Sequence, residues 1–447
     1  VFNNLKTSIS YAKIWAIAYP IIIGSVAQNV INVTDTIFLG QLGEIALGGG
    51  AIGGLFYLAI VMLGWGFGLG TQIVVARRFG EGTYRTIGRT VEHGFIFLMV
   101  LALVMFLLVQ FFGNPLLIQI IESESVSETS VEFLNYRIFG IFFAHTNFIF
   151  RAFYVGIGRT RVITFTTLIM VSVNVFLDYS LIFGNFGFPA MGVGGAALAS
   201  VISEVTCTLA FILYTSIRIP LSRYRLFSFK VFSIKLLLRL LRVSIPMMLQ
   251  NFLSFSVWFI FFLIIEKMGE SQLAISNVIR SIYIILLIPI MGFASATNTL
   301  VSFVIGQGKP HEVLATIAKI STICVLGVIM IVGTCSIIPE QIISIYTSDP
   351  NLIRMGVPIL YVIFFSSVLF GVGFILFSGV SGTGKTQVSL IIEVSILSCY
   401  LVFAVTMVKI FHASVTTVWL AEILYGILLI LSSLIYLRSK RWMGEKV

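Results

Sequence analysis

The chain has 447 residues, 58% hydrophobic and only 10% charged, with a mean hydropathy of +1.06 and a formal net charge of +10. A soluble domain carries about 25% charged residues, so this composition excludes a water-covered globule and requires lipid as the solvent. The basic residues lie between apolar segments, which favours membrane topology over nucleic-acid binding.

Twelve apolar runs approach the span length of about 20 residues. They lie at 14–38, 50–75, 93–113, 133–155, 162–183, 191–217, 242–265, 277–305, 316–337, 355–377, 387–408 and 414–437. The expected fold is an all-α membrane protein with both termini on one side. The first run is long enough to span and has no small-residue cleavage site, so no cleavable signal peptide is expected.

The first span reads "VAQNVINVTDTIFLG". Gln28, Asn32 and Asp35 follow i, i+4, i+7 spacing and share one helix face. The second span ends in the basic "ARRFGEG". The loop 114–132 has no Lys or Arg and four Glu. "GIGRTRV" (156–162) joins spans four and five. Span five reads "MVSVNVFLDYSLIFG", with Asn174 one turn before Asp178. Span six carries Glu204. A basic connector, 218–240, precedes span seven. "GVSGTGKT", Gly379–Thr386, precedes span eleven and spells a phosphate-loop pattern. Glu393 in span eleven lies near the basic side and reads as interfacial. Glu422 in span twelve is balanced between a helix–helix hydrogen bond and a functional role, as is Glu204.

Basic residues set the orientation. Assigning the termini and every second loop to one side collects 23 of the 28 Lys and Arg there. Both termini are therefore expected in the cytoplasm and the chain in the plasma (inner) membrane. Arg137 and Arg280 fall near span ends.

At an offset of 226 residues the chain matches itself. Pro20 meets Pro246, Gly43-Glu44 meets Gly269-Glu270, and Gly80 and Gly82 meet Gly306 and Gly308. Gly156, Gly158 and Thr160 meet Gly382, Gly384 and Thr386. Two six-helix lobes in parallel orientation follow: 1–217, the connector 218–240, and 241–447. Repeated halves of this kind suit alternating access. The repeat also reclassifies Gly379–Thr386 as a loop between helices. Its first copy is no phosphate loop, and no α/β domain is present to complete one, so no nucleotide is expected there and no enzyme.

Ionisable groups inside spans are functional candidates. Asp35 and Asp178 stand out as groups able to exchange a proton or Na⁺. Their repeat partners are Phe261 and Ala404, and that of Asn174 is Tyr400, so the polar chemistry is read as loaded into the first lobe. Gln28, Asn32 and Glu204 are substrate-cavity candidates. The four His show no metal-ligand spacing. The four Cys read as small buried hydrophobes, with no metal or cofactor expected.

"NVTDTIFLGQLGEIAL", "GTQIVVARRFGEG", "NVFLDYSLIFGNFGFPAMGVGGAALASVISE" and "ATNTLVSFVIGQG" together resemble the multidrug and toxic compound extrusion (MATE) family over nearly the whole chain. The resemblance implies an antiporter that exports cationic or amphipathic compounds against H⁺ or Na⁺, as a monomer in the bilayer. In the DinF-like branch, a protonated helix-one Asp and a helix-five Asn and Asp map onto Asp35, Asn174 and Asp178. A helix-six hydroxyl maps onto Ser200. With sodium as the ion, Asn174 and Asp178 would hold it. The NorM-like branch uses acids in helices seven and ten. Here helix seven has none before Glu266 and helix ten has none, which favours the DinF-like branch. The alternative is a lipid-linked oligosaccharide flippase of the same superfamily, which would want a more basic cavity. A major-facilitator carrier lacks support, because "ARRFGEG" does not carry that family's signature.

Overall fold

The computed structural model describes residues 9–229 and 232–444; Lys6, Lys230 and Lys446 of the charge count lie outside them. Among the described residues there is no strand, and twelve helices are long and apolar enough to cross a membrane. They are α1 (Tyr11–Gln41), α2 (Glu44–Gly80), α3 (Tyr84–Ile120), α4 (Glu124–Gly156), α5 (Arg161–Phe183) and α6 (Gly192–Arg218). The second set is α7 (Ile234–Glu266), α8 (Glu270–Gly306), α9 (Pro310–Cys335), α10 (Pro350–Gly382), α11 (Thr386–Lys409) and α12 (Val415–Arg438). In lipid the backbone has no water to bond, so helices satisfy it internally. Each apolar run of the sequence falls on one of these helices, which extend up to nine residues beyond it.

The acidic loop expected at 114–132 is mostly helix. α3 continues to Ile120 through a π turn at Val109–Gly113, and α4 begins at Glu124. Hydropathy falls across this stretch, but local helix signals are strong. Ser123 caps α4, its Oγ accepting from the Val126 amide at 3.5 Å, and Glu124 meets the positive end of the helix dipole. As a result Arg137 lies well inside α4, not near its end as the apolar run suggested.

The repeat is present in the backbone. α2 and α8 are both 37 residues long and start at the repeat partners Glu44 and Glu270. α4 and α10 end at the partners Gly156 and Gly382. Left-handed glycines recur in pairs: Gly43 (φ 112°) with Gly269 (130°), Gly82 (72°) with Gly308 (75°), and Gly158 (70°) with Gly384 (91°).

The chain forms two compact units. The first is Tyr19–Met248, and the second is Val1–Ala18 with Leu249–Val447. The divisions fall inside α1 and α7, beside the repeat partners Pro20 and Pro246. The described part of the connector belongs to the first unit. Glu92 Oε1 accepts from the Ser228 amide at 2.6 Å, and His93 Nε2 accepts from the Ser233 amide at 2.8 Å.

Gly379–Thr386 is a helix–turn–helix junction. The Thr383 amide donates to the Gly379 carbonyl (3.2 Å), that of Gly384 to the Ser381 carbonyl (2.9 Å), and that of Lys385 to Thr383 Oγ1 (3.3 Å). A phosphate loop would aim such amides at its ligand; here they close a turn. A Cβ at Gly379 would run into the Ile317 side chain, so that glycine serves helix packing. Gly384→Ala would force a side chain into the left-handed region at a cost of about 1–2 kcal/mol. A lowered Tm of the detergent-purified protein, with Gly371→Ala in the same helix hairpin as a right-handed control, checks this.

Candidate functional site

In the first unit, α1, α5 and α6 bring the sequence candidates together. Asn174 and Asp178 are fully buried on α5, and Ser200 on α6 is nearly so. Asn174 Nδ2 donates to Ser200 Oγ at a long 3.5 Å. Asp35 on α1 is half-buried and its carboxyl faces that of Asp178 within hydrogen-bonding reach. No donor reaches Asp35 Oδ1, Asn174 Oδ1 or either oxygen of Asp178. Two carboxylates cannot bond each other, since both only accept. The facing pair therefore has a place for one thing that both oxygens want: a proton or a cation. Gln28 and Asn32, on the same stripe of α1, are exposed.

Glu204 is differently placed. It forms a two-pronged ion pair with Arg137: Nη1 donates to Oε2 at 2.9 Å and Nη2 to Oε1 at 2.5 Å. Both side chains are 13% exposed. The Tyr57 ring lies 3.9 Å from the guanidinium. Asn147 Nδ2 donates to the Glu204 carbonyl at 3.1 Å, and Thr208 Oγ1 donates to Asn147 Oδ1 at 2.9 Å. The Glu204 carboxylate is thus already occupied. Sequence reasoning missed Arg137 as its partner. The signal was available: two opposite charges within spans of one lobe have a strong reason to pair.

The second unit also holds buried acids, each supplied with hydroxyl donors. Glu393 is buried at 1% exposure, not interfacial. It accepts from Ser254 Oγ at 2.6 Å and from the Tyr425 hydroxyl at 2.9 Å. Glu422 is buried as well, accepting from Tyr283 (2.7 Å) and Tyr400 (2.9 Å). Tyr400 occupies the repeat position of Asn174. The hydroxyls arrive from other helices, which hydropathy along one helix does not register. Cys207 and Cys324 are buried as expected, whereas Cys399 is exposed. An open depression of ≈ 660 Å³ is lined by Gly82–Thr86, Ser222 and Arg223 and touches none of these acids. Its charged lining places it among the basic loops, away from any membrane-buried exchange.

The MatE family model matches twice, at residues 20–180 and 246–408, and the two matches start 226 residues apart. A probable multidrug resistance protein NorM from Thermotoga maritima is 26% identical over 95% of this chain and 92% of its own length. One from Agrobacterium fabrum is 25% identical over 78% of this chain and 74% of its own. A crystal structure of a MATE in complex with MaL6 superposes with a TM-score of 0.88 at 20% identity, covering 96% of this chain and 95% of that one. A mutant of the Vibrio cholerae MATE transporter VcmN does so with 0.84 at 18%, covering 97% and 98%.

The second-unit glutamates give a stability prediction. Tyr283→Phe with Tyr400→Phe removes both hydroxyl donors from buried Glu422, at about 1–3 kcal/mol for each oxygen left unsatisfied. The Tm of the double variant should fall below that of either single one. An unchanged Tm would show that Glu422 does not depend on these hydroxyls.

Proposed function

The chain belongs to the MatE family, and we propose that it is a secondary multidrug antiporter exporting cationic amphipathic compounds in exchange for protons. It is a multi-pass membrane protein. In this reading it works as a monomer in the plasma membrane, with both termini in the cytoplasm, and performs transport and not catalysis.

The facing carboxyls of Asp35 and Asp178 carry the proposal. A proton held between them supplies the donor that their oxygens lack. Releasing it leaves two adjacent carboxylates that repel each other and attract a cation. Proton and cationic drug then compete for one negative site. That competition makes the exchange obligatory, because each drives the other off as the lobes alternate access. Asn174 and Ser200 hold α5 and α6 in register beside the pair. Gln28 and Asn32 offer polar contacts on the exposed stripe of α1. These roles are those of the DinF-like branch.

Sodium is the second reading, because Asp35 Oδ1, Asn174 Oδ1 and both Asp178 oxygens are hard acceptors without donors. A flippase is disfavoured. It needs free cationic groups for a pyrophosphate, and Arg137 is already held by Glu204.

Asp35→Asn should abolish drug export with expression intact, a loss of at least about tenfold, since each 1.4 kcal/mol of lost coupling is a factor of ten. Dye-loaded proteoliposomes should respond to an imposed pH gradient. A response to a Na⁺ gradient alone would assign sodium as the ion. Wild-type export by Asp35→Asn would sink the aspartate reading.

A further inference from the structure

His93 stands near the connector end of α3 and is buried at 2% exposure. Its two ring nitrogens have partners of opposite kind. Nδ1 lies 2.6 Å from the Arg89 carbonyl oxygen, which can only accept. Nε2 lies 2.8 Å from the Ser233 amide, which can only donate. These partners fix the tautomer: the proton is on Nδ1 and the lone pair on Nε2, so the imidazole is neutral. A second proton would sit on Nε2 and point at the Ser233 N–H, and two donors cannot bond each other. The Phe232 ring stacks on His93, with 5.1 Å between centroids and 10° between planes. One residue earlier, Glu92 Oε1 accepts from the Ser228 amide at 2.6 Å and from its hydroxyl at 3.2 Å.

The connector held in this way is under strain. Arg225, Phe227 and Phe229 have φ of 54°, 58° and 43°, in the left-handed region that disfavours residues with a Cβ. Such residues persist where surrounding contacts over-determine them. Ser228 lies between Phe227 and Phe229, and Glu92 holds both its amide and its hydroxyl. The restrained segment runs into α7, whose residues up to Met248 belong to the first unit and the rest to the second. The 226-residue repeat places Lys319 of α9 at the position of His93. Lys319 Nζ donates to the Ile9 carbonyl at 3.0 Å, just ahead of α1. Both positions therefore hold the lead-in to a helix in which the division between units falls. One does so with an ammonium that donates, the other with an imidazole that must accept.

We propose that His93 and Glu92 form a pH-sensitive latch, which ties the connector and the start of α7 to α3 while His93 is neutral and lets them go when it is protonated. The sign follows from the lone pair on Nε2. The latch needs it unprotonated, so it is closed at higher pH and lost as the pH falls. On α3 the neighbouring charged groups are Arg89 and Glu92. From the connector, the carbonyls of Tyr224 and Arg225 press on Gly88, and Lys235 follows Ser233 by two residues. From α2 and α4, Phe67, Thr71 and Ile149 meet the adjoining Gly94 and cannot titrate. Arg89, Arg225 and Lys235 are exposed to solvent, and the Glu92 carboxylate is taken by Ser228. Opening the latch relaxes the strained turn and loosens the joint that rocking lobes must bend. Acid on the connector's side of the membrane, the cytoplasm in the topology proposed above, is the signal. The latch does not depend on the aspartate reading.

Hydrogen exchange at the Ser233 amide of the full-length protein in lipid nanodiscs reads the latch, with each rate divided by the intrinsic amide rate at that pH. Between about pH 7.5 and about pH 5.5, the range in which histidines change charge, wild-type protection should fall at least about fivefold, the factor that one lost hydrogen bond gives. His93→Gln keeps a neutral acceptor where Nε2 lies, so its protection should be the same at both pH values. His93→Lys copies the other repeat, has no acceptor, and should leave Ser233 unprotected at both. Wild-type protection that does not change with pH overturns the proposal. An equal fall in His93→Gln also overturns it, because the titrating group would then lie elsewhere, Glu92 included. Where the variants fail to fold, ¹⁵N-histidine NMR of the wild type decides, with His93 assigned through its contact with Phe232. At the higher pH its signals should be those of the Nδ1–H tautomer, and their change with pH should coincide with the loss of protection at Ser233. The Nε2–H tautomer, or a titration that does not coincide, overturns the latch.

Discussion

In the hydrocarbon core an ionised side chain has no water to hold it. It must find an opposite charge, a set of hydrogen-bond donors, or a proton. This chain uses all three, each in a different place. Glu204 takes the opposite charge, with both carboxylate oxygens on the Arg137 fork. Glu393 and Glu422 take donors, from Ser254 and Tyr425 and from Tyr283 and Tyr400. Asp35 and Asp178 have neither, and face each other. The difference follows from how many donors each helix neighbour can offer, not from the acids themselves.

The duplication makes the comparison sharper. The two halves share their turn glycines, their helix ends and the paired prolines of α1 and α7. Positions that hold the aspartate site in one half are filled apolar or aromatic in the other. Phe261, at the place of Asp35, packs on Tyr400 and Trp419 with ring centroids 5.3 and 5.2 Å away. Tyr57 and Tyr283 are repeat partners as well, yet one ring covers a guanidinium and the other hydroxyl binds a carboxylate. The scaffold tolerates this because helix packing depends on shape and small residues, while the polar pairs are set by a few side chains that can diverge independently.

That distinction also explains what the sequence disclosed. Spans, the repeat, and the stripe of Gln28, Asn32 and Asp35 are properties of neighbours along the chain, and they were legible. So was the status of "GVSGTGKT", because its copy at Gly156–Val162 has the same left-handed glycine without the motif. Partnerships across helices were not. Arg137 and Glu204 are 67 residues apart, and Tyr283–Glu422 and Ser254–Glu393 are each 139 apart. Glu393 read as interfacial because hydropathy counts its position along α11 and is blind to the hydroxyls of α7 and α12. The acidic stretch before α4 read as loop for a related reason: polarity along the chain hid a capped helix, and with it the true depth of Arg137.

A site that must change its charge during transport has to be the one place where surrounding groups do not settle the matter in advance. Glu204 is committed by Arg137, and the second-unit glutamates by the hydroxyls that reach them. In the proposed exchange, a donor added beside Asp178 would favour one protonation state over the other, so oxygens without donors suit that chemistry. The cost of those unsatisfied oxygens, about 1–3 kcal/mol each, is what a proton or cation bound there would relieve. On the proposed reading, binding and release at this pair would be large enough in energy to shift a two-state equilibrium of a few kcal/mol, the scale that alternating access needs.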